Sequence, residues 1–363
     1  MALLKLSSAI CSSAFALGVA PSLPHAASTS SRSLSWKRSS PFHGALPSTV
    51  SSPSGLPSSV VAPRASQATG VSAEAENLNE KYGTEGVKVQ SGEGGLTKVV
   101  LSGRDGSEAE VYLYGGCVTS WKAAGGKDLL FVRPDAVFTG KKPISGGLPH
   151  CFPQFGPGVI QQHGFARNVT WDIASTQNDG GSPTLVLGLK PSDYSRSIWN
   201  YEFSVTFKIV LGEKKLTTEM VVENTDTKSF SFTTALHSYF RADVSKTSVT
   251  GLKGCKRLDK PYEDPANPVE GSEDRNVIEF PGFVDTMYMN TPNVLVLDNG
   301  LGEKLSIRNE GWTDAVLWNP YLTMEACYKD FVCVENAQLS PVELQPGQSW
   351  TAKQSLSLGY MVN

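Results

Sequence analysis

The segment Tyr201-Glu202-Phe203-Ser204-Val205-Thr206-Phe207-Lys208-Ile209 decides the fold class, because it is apolar at every odd position and polar at nearly every even one. This period of two is the pattern of a β-strand that buries one face. After the turn Gly212-Glu213-Lys214, the apolar residues Leu216, Met220 and Val222 continue the alternation. The centre of the chain is therefore predicted to be β-structure.

Similar short segments occur along the chain on both sides of this one, separated by turn signals such as Asn178-Asp179-Gly180-Gly181 and Asp298-Asn299-Gly300. They cover residues 98–101, 110–114, 129–132, 170–174, 184–189, 230–236, 294–297, 304–307 and 350–358. Helical periodicity is weak, and residues 77–82 are expected to form at most a short helical turn. The pattern predicts an all-β fold, a large antiparallel β-sandwich rather than a small immunoglobulin-type domain.

The first 73 residues differ in composition from the rest of the chain. They contain no Asp or Glu, only five Lys or Arg, and much Ser, Ala and Pro. This composition predicts an organellar transit peptide, chloroplast rather than mitochondrial, with a secretory signal as the alternative. Their apolar stretch, residues 14–20, is too short to span a bilayer, so we expect no membrane insertion and a stromal location. Residues 74–363 show no linker and are predicted to form one domain.

The charge of the chain limits its partners. The formal charge is −3, and because five of the 32 basic residues and none of the 35 acidic ones precede Glu74, residues 74–363 carry −8. An acidic domain argues against nucleic acid as a partner, but it still permits a small anionic substrate.

The cysteines give no metal or disulfide signal. Beyond the leader the chain has five, in no CxxC or zinc spacing: Cys117, Cys151, Cys255, Cys327 and Cys333. We expect buried thiols and no metal ion, with redox regulation of one pair left open. The sequence gives no indication of oligomeric state.

Two histidines and one acid interrupt strand-like apolar runs. His163 lies in Gln162-His163-Gly164-Phe165-Ala166-Arg167, His237 in Ala235-Leu236-His237-Ser238-Tyr239-Phe240, and Glu335 in Phe331-Val332-Cys333-Val334-Glu335-Asn336. A histidine and a carboxylate are the groups that an enzyme uses to donate one proton and remove another. The structural alternative is a set of hydrogen-bonded core residues.

The loop before His163, residues 141–158, contains four prolines and four glycines among aromatic residues. Such a backbone is stiff and can approach a ligand closely, so the loop is interpreted as one wall of a binding site, with a stiff connector as the alternative. His150 within it is expected to be scaffolding. Trp312 and Trp318 could stack on a sugar ring or belong to the core.

Five ordered motifs together resemble the aldose 1-epimerase (galactose mutarotase-like) superfamily, within it the glucose-6-phosphate 1-epimerase branch and its plant chloroplast members. The resemblance covers about residues 87–358 and implies the large β-sandwich expected above. The motifs are Gly146-Gly147-Leu148-Pro149 with Phe152-Pro153-Gln154-Phe155-Gly156, His163-Gly164-Phe165-Ala166-Arg167-Asn168 with Trp171, Ala235-Leu236-His237 with Tyr239-Phe240, Phe283-Val284-Asp285, and Cys333-Val334-Glu335, followed by Pro346-Gly347.

The resemblance implies a role for each candidate residue. His237 would be the general acid at the ring oxygen, and Glu335 the base at the anomeric hydroxyl. His163, Gln162 and Asp285 would bind the sugar, and Asp285 could instead cap a turn. Arg167 would clamp the phosphate of a sugar phosphate. No cofactor and no metal are implied.

One position departs from the family. The arginine that usually precedes the Gly-Gly pair is Ser145 here, and Lys141, Lys142 or Arg196 are the candidate replacements. Three functions therefore remain: an epimerase of glucose-6-phosphate, a mutarotase of unphosphorylated hexoses, or a non-catalytic carbohydrate-binding or assembly subunit of a thylakoid-associated complex. The four residues His163, His237, Asp285 and Glu335 together favour an enzyme.

Overall fold

A computed structural model describes residues 72–359, so the predicted transit peptide lies almost wholly outside the described residues. Helix α1 (Ala73–Tyr82) begins where the hydroxyl of Ser72 accepts a hydrogen bond from the Ala75 N–H. This helix contains the expected turn. Helix α2 (Asp193–Ile198) was not predicted from the sequence. Between residues 72 and 359, neither helix is long and apolar enough to cross a membrane.

Strands make up most of the described chain, and four single turns of 3₁₀ helix lie at residues 93–95, 166–168, 244–246 and 321–324. In chain order the strands are β1 (Val87–Ser91), β2 (Thr97–Ser102), β3 (Glu108–Tyr112), β4 (Cys117–Lys122), β5 (His150–Cys151), β6 (Asp172–Asp179), β7 (Ser182–Leu189), β8 (Phe203–Gly212), β9 (Lys215–Asn224), β10 (Phe230–Leu236), β11 (Tyr239–Arg241), β12 (Ser248–Thr250), β13 (Lys256–Asp259), β14 (Val269–Ser272), β15 (Val277–Glu279), β16 (Val284–Met289), β17 (Val294–Asp298), β18 (Lys304–Glu310), β19 (Asp314–Asn319), β20 (Phe331–Leu344) and β21 (Ser349–Leu358).

The strands form three sheets. The smallest has the order β1-β2-β3-β4, the second β14-β13-β16-β19-β20-β10-β5 with β11 paired to β20, and the largest β15-β12-β17-β18-β21-β9-β8-β7-β6. Neighbouring strands pair antiparallel. The prediction of a large antiparallel β-sandwich is confirmed.

One predicted strand is wrong. Residues 129–132 form isolated bridges instead, Leu130 to Phe240 and Val132 to Gly146. Their partner is partly the loop of residues 141–158, where Gly146 has a positive φ and comes so close to the Val132 backbone that a Cβ atom would overlap it. Such irregular backbone offers bridges but no continuous ladder.

The second and largest sheets pack face to face, and the main hydrophobic core lies between them. The ring of Phe232 on β10 meets Trp350 on β21 edge to face at 5.6 Å. His150 on β5 meets Phe207 on β8 at 4.4 Å and is fully buried. Its role as scaffolding is therefore supported by its place in the core, and burial lowers its pKa to about 4.

Strand β20 has one face toward this core and one away from it. The Asn336 side chain points inward, because its Oδ1 accepts a 2.6 Å hydrogen bond from Nε2 of Gln354 on β21. Successive side chains of a strand point to opposite faces. Glu335 therefore lies on the outer face of the second sheet, and this face carries the candidate site.

Candidate active site

A row of side chains crosses the outer face of the second sheet. Asp285 on β16 is the register partner of Trp318 on β19, Trp318 is the partner of Cys333 on β20, and Cys333 is the partner of Tyr239 on β11. Cross-strand partners on one face have neighbouring Cβ atoms. Four segments distant in the sequence thus form one continuous floor.

His237 follows the last residue of β10 and packs on this row of side chains. Its N–H donates to the Pro149 carbonyl at 2.9 Å. Its ring stacks on Tyr239, with centroids 4.9 Å apart and planes 14° apart, and meets the edge of Trp318 at 5.5 Å. Aromatic neighbours on two sides fix the orientation of the imidazole.

Glu335 lies beside that imidazole. Its Oε1 is 3.2 Å from Nδ1 of His237, although the two groups are not aligned as a hydrogen bond. The Glu335 residue is only 2 % exposed, and neither its Oε2 nor His237 Nδ1 has a partner among the described residues. The structure therefore brings together the histidine and the carboxyl group predicted as acid and base, with the carboxyl group almost fully buried.

Burial changes the proton affinity of both groups. It raises the pKa of the Glu335 carboxyl well above its ordinary value, and the nearby Asp285 adds to this effect. Burial lowers the pKa of His237 well below its ordinary value, and His163 and Arg167 lower it further. Because burial disfavours the charged form of both groups, it favours a neutral imidazole beside a protonated carboxyl group.

His163 reaches the site through an unusual backbone conformation, with φ +65°. The N–H of Gly156 donates to its Nδ1 at 3.1 Å, so Nδ1 is the acceptor and Nε2 carries the hydrogen. Burial, with Arg167 and Lys260 nearby, lowers the pKa of His163 to about 3. The imidazole is therefore neutral and presents one N–H, 5.5 Å from His237 between ring centroids.

Arg167 and Gln162 lie next to one another at the rim. Gln162 lines the cleft, whereas Arg167 does not. Arg167 contacts Gln162 instead, and its Nη2 donates to the Gln162 carbonyl at 2.9 Å. The Nε atom of Arg167 is buried without a partner among residues 72–359. The structure thus brings Arg167 near the site but not onto its surface.

Asp285 and Lys260 form the opposite side. The N–H of Lys260 donates to the Asp285 carbonyl at 2.8 Å, and its Nζ is 3.6 Å from Asp285 Oδ1. Burial raises the pKa of Asp285, and Lys260 opposes that rise. Lys260 was not predicted as a site residue, because a lysine between Asp259 and Pro261 outside any strand-like run gives no sequence signal.

These groups surround a cleft of about 120 Å³. The loop of residues 141–158 does form one wall, as predicted. The lining residues are Phe155, Gly156, Pro157, Gln162, His163, His237, Lys260, Asp285, Val316, Trp318 and Glu335. A wider cavity of about 480 Å³ adjoins it and shares Lys260 and Asp285, so there is room beyond the cleft for the rest of a substrate.

Of the two tryptophans and the candidate replacements for the missing arginine, only Trp318 lines the cleft. Trp318 lines the cleft, whereas Trp312 packs on Trp350 in the core at 5.0 Å. Ser145 does not line the cleft, and Arg196 is paired with Glu202 at 2.7 Å. None of the three replacements considered for the missing arginine lines the cleft.

Known proteins resemble this chain in sequence and in fold. Residues 97–357 match the family described as "Aldose 1-epimerase". The chain is 36 % identical over 283 residues to a "Putative glucose-6-phosphate 1-epimerase" of Cenchrus ciliaris, covering 72 % of this chain and 85 % of that protein. An Escherichia coli protein of the same description is 30 % identical over 249 residues, covering 65 % and 81 %.

A solved structure extends the likeness to three dimensions. The crystal structure of a "putative mutarotase" from Salmonella typhimurium superposes with a TM-score of 0.68 at 27 % sequence identity, covering 76 % of this chain and 94 % of that one. The family match spans more than half of the chain, from β2 to β21. The chain therefore belongs to the aldose 1-epimerase family.

Proposed function

We propose that the protein interconverts the α and β anomers of glucose-6-phosphate by opening and reclosing the sugar ring. The observation that carries this proposal is the His237–Glu335 pair, which lines the cleft with its nearest atoms 3.2 Å apart. The names of the relatives from Cenchrus ciliaris and Escherichia coli support the choice of substrate.

The reaction needs one proton delivered and one removed. His237 donates a proton to the ring oxygen while Glu335 takes the proton of the anomeric hydroxyl, and the bond between the anomeric carbon and the ring oxygen breaks to give the aldehyde. Rotation of the aldehyde carbon and the reverse transfers give the other anomer. Each positioned acid or base contributes about 10²–10⁴ in rate.

For His237 to act as the acid, the proton shared by His237 and Glu335 must lie on the imidazole when ring opening begins. Burial favours the uncharged arrangement, with the proton on Glu335. Because Nδ1 and Oε1 are 3.2 Å apart, a small reorientation as the sugar binds would align them and let the proton move to the imidazole. We assign the donor role to His237 on the family resemblance, and the overall proton balance is the same for the reversed assignment.

The remaining lining residues would bind and orient the sugar. Since His163 Nδ1 accepts from the Gly156 N–H, its Nε2–H is the donor for a ring hydroxyl, which would replace the 3.4 Å contact of Nε2 with the Gln162 amide. The Asp285 carboxylate, held by Lys260, is an acceptor for hydroxyls, and Gln162 adds an amide at the rim. Trp318 offers an apolar surface to the sugar ring.

The cations near the cleft and the wider cavity are Lys260, Arg167, Arg257 and Arg275. Arg257 and Arg275 already pair with Asp259 and Glu273. Lys260 lines both the cleft and the wider cavity, so its ammonium reaches a phosphate in either. Arg167 is close behind Gln162 and reaches the phosphate if the rim opens. We propose that Lys260 makes the direct contact and that Arg167 supports it, because Ser145 leaves the family's second arginine missing.

Exchange between anomers, measured by two-dimensional NMR with glucose-6-phosphate and with glucose, tests the proposal. We expect acceleration above the spontaneous rate, larger for the phosphate. Equal acceleration of both sugars would favour the mutarotase of unphosphorylated hexoses, which Ser145 supports. Sugar binding without any acceleration would favour the non-catalytic alternative.

We also propose that residues 1–73 direct the protein to the chloroplast stroma. The proposal rests on composition alone, with no acidic residue before Glu74 and abundant Ser, Ala and Pro. In the stroma the substrate would be a sugar phosphate, and we propose neither nucleic acid nor membrane insertion as part of the function.

A further inference from the structure

Beneath the proposed acid and base lies a third group that the proposed reaction does not use. Cys333 on β20 precedes Glu335 by two residues and is fully buried on the same face of the strand. A nitrogen of His237, the Sγ of Cys333 and an oxygen of Glu335 all lie within 4.8 Å of one another. This places three chemically different donor atoms around one point.

Two of these donors are left without partners. His237 Nδ1 and Glu335 Oε2 are both buried, and neither hydrogen bonds to any of the residues from 72 to 359. A buried polar atom without a partner is costly, and an ion or ligand is one of the ways in which such atoms are satisfied. The cluster therefore combines metal-ligand side chains with two buried polar atoms that lack hydrogen-bond partners.

We propose that His237, Cys333 and Glu335 bind one zinc-class divalent ion, and that this ion inhibits the enzyme. Imidazole nitrogen, thiolate sulfur and carboxylate oxygen are the three donor types that zinc accepts, and three protein ligands leave its fourth position to water. Calcium and magnesium prefer oxygen donors alone, so a site with one thiolate and one imidazole selects against them.

The three ligand atoms must move slightly closer together to bind one ion. Tetrahedral bonds of about 2.0–2.3 Å place ligand atoms roughly 3.3–3.8 Å apart. The separation of 3.2 Å between His237 Nδ1 and Glu335 Oε1 is already near this value. One ligand atom from each of the three residues lies within 4.8 Å of the others, so side-chain rotations must bring the more distant atoms closer to complete the site. The cleft exposes part of the His237 ring, which is 13 % accessible, and gives the ion an entry path.

Inhibition follows from the identity of the ligands, and this part of the inference rests on the proposed function. An ion held by His237 and Glu335 occupies both lone pairs that the proton transfers need. Sugar and ion therefore exclude each other, so the ion raises KM for the sugar and leaves kcat at saturating sugar unchanged.

The binding test does not depend on activity. Cadmium is added to the full chain after dialysis against chelator, and the ultraviolet charge-transfer absorption of the cadmium–thiolate bond is followed. We expect one equivalent to bind with this absorption, and Cys333→Ser to lose it. Cys151→Ser, which changes another fully buried thiol close to Glu335, should retain it. Cys333→Ala replaces the serine variant if serine disturbs folding, which circular dichroism reports.

Zinc inhibition is then measured on the same proteins. We expect competitive inhibition that chelator reverses, and a rise of at least about tenfold in the inhibition constant for Cys333→Ser relative to the wild type. Cadmium absorption that persists in both Cys333 variants, or that disappears in Cys151→Ser, overturns the site. If metal binding depends on Cys333 but zinc does not compete with sugar, the proposed inhibition is wrong. The proposed epimerase activity is tested separately, by anomer exchange. Activation by zinc would also show that the proposed inhibition is wrong.

Discussion

His237 Nδ1 and Glu335 Oε1 lie 3.2 Å apart, each brought there by a different strand and neither tied to another described residue through these groups. Burial lowers the pKa of His237 and raises that of Glu335, so it favours the neutral arrangement of the two groups over an ion pair. A pair of this kind can give a proton at one point and take one at another without any cofactor.

Activity and stability should respond in opposite directions at Glu335. Glu335→Gln is expected to lower anomer exchange by about 10²–10⁴ because the base is lost. It should raise the free energy of unfolding at neutral pH by about 1–3 kcal/mol, because the variant no longer buries a carboxyl group that is ionised in the unfolded chain. NMR exchange and urea unfolding measure the two effects.

The sign follows from the raised pKa of Glu335. The folded protein binds a proton that the unfolded chain releases above the ordinary value of 4.5, so this carboxyl group destabilises the fold as the pH rises through that range. Glu343→Gln, an exposed change on the same strand, is the control and should alter neither quantity. A Glu335→Gln protein with wild-type exchange would show that the carboxylate is not the base.

Activity should be nearly constant around neutral pH. Adding a second proton to the pair needs a pH well below the ordinary 6.5 of histidine, because the pKa of His237 is lowered. Removing its single proton needs a pH well above the ordinary 4.5 of a glutamate, because the pKa of Glu335 is raised. The kcat/KM profile for glucose, which avoids the phosphate titration at about pH 6, measures this plateau. A single titration near 6.5 would contradict it.

Lys260 should control the preference for phosphate. Lys260→Met is expected to raise KM for glucose-6-phosphate by about tenfold to a hundredfold, the cost of one charge-assisted hydrogen bond, and to change KM for glucose much less. Arg167→Ala should act in the same direction. If either variant raises KM equally for both sugars, that cation positions a neighbouring residue, Asp285 or Gln162, instead of binding the phosphate.

Replacement of the ring beneath His237 should affect turnover more than binding. Tyr239→Leu removes the stacked partner at 4.9 Å and is expected to lower kcat by about twofold to tenfold, while KM changes little. Tyr239→Phe keeps the ring and is the matched control. Equal losses in both variants would assign the effect to the hydroxyl group and not to stacking.

The leader is testable apart from the enzyme. A fluorescent protein fused to residues 1–73 should accumulate in chloroplasts, because this segment lacks acidic residues and is rich in Ser. A cytosolic or secreted signal would contradict the location and leave the proposed reaction untouched.

The sequence was informative wherever function depends on a local pattern. Strand β10 has the predicted bounds, and Glu335 was recognised because a lone acid interrupts an apolar run. Helix α2 escaped notice because six residues are too few for a periodic pattern, although its Ser192–Ser195 capping box is a local signal.

The remaining contacts depend on which strands become neighbours. The row from Asp285 through Trp318 and Cys333 to Tyr239 is a matter of register between four strands, and a period of two does not determine register. Lys260 follows β13, and only the pairing of β13 with β16 brings it to Asp285. The composition of the site was therefore predictable in large part, and its second cation was not.

Strand β20 directs Asn336 into the core and Glu335 into the cleft, so a slip of one residue would exchange them. A misaligned strand would then both bury the wrong side chain and remove the carboxyl group from His237. Chains in which β20 is out of register should for this reason be inactive, and activity should return during refolding only when β20 has its final register with β10 and β19.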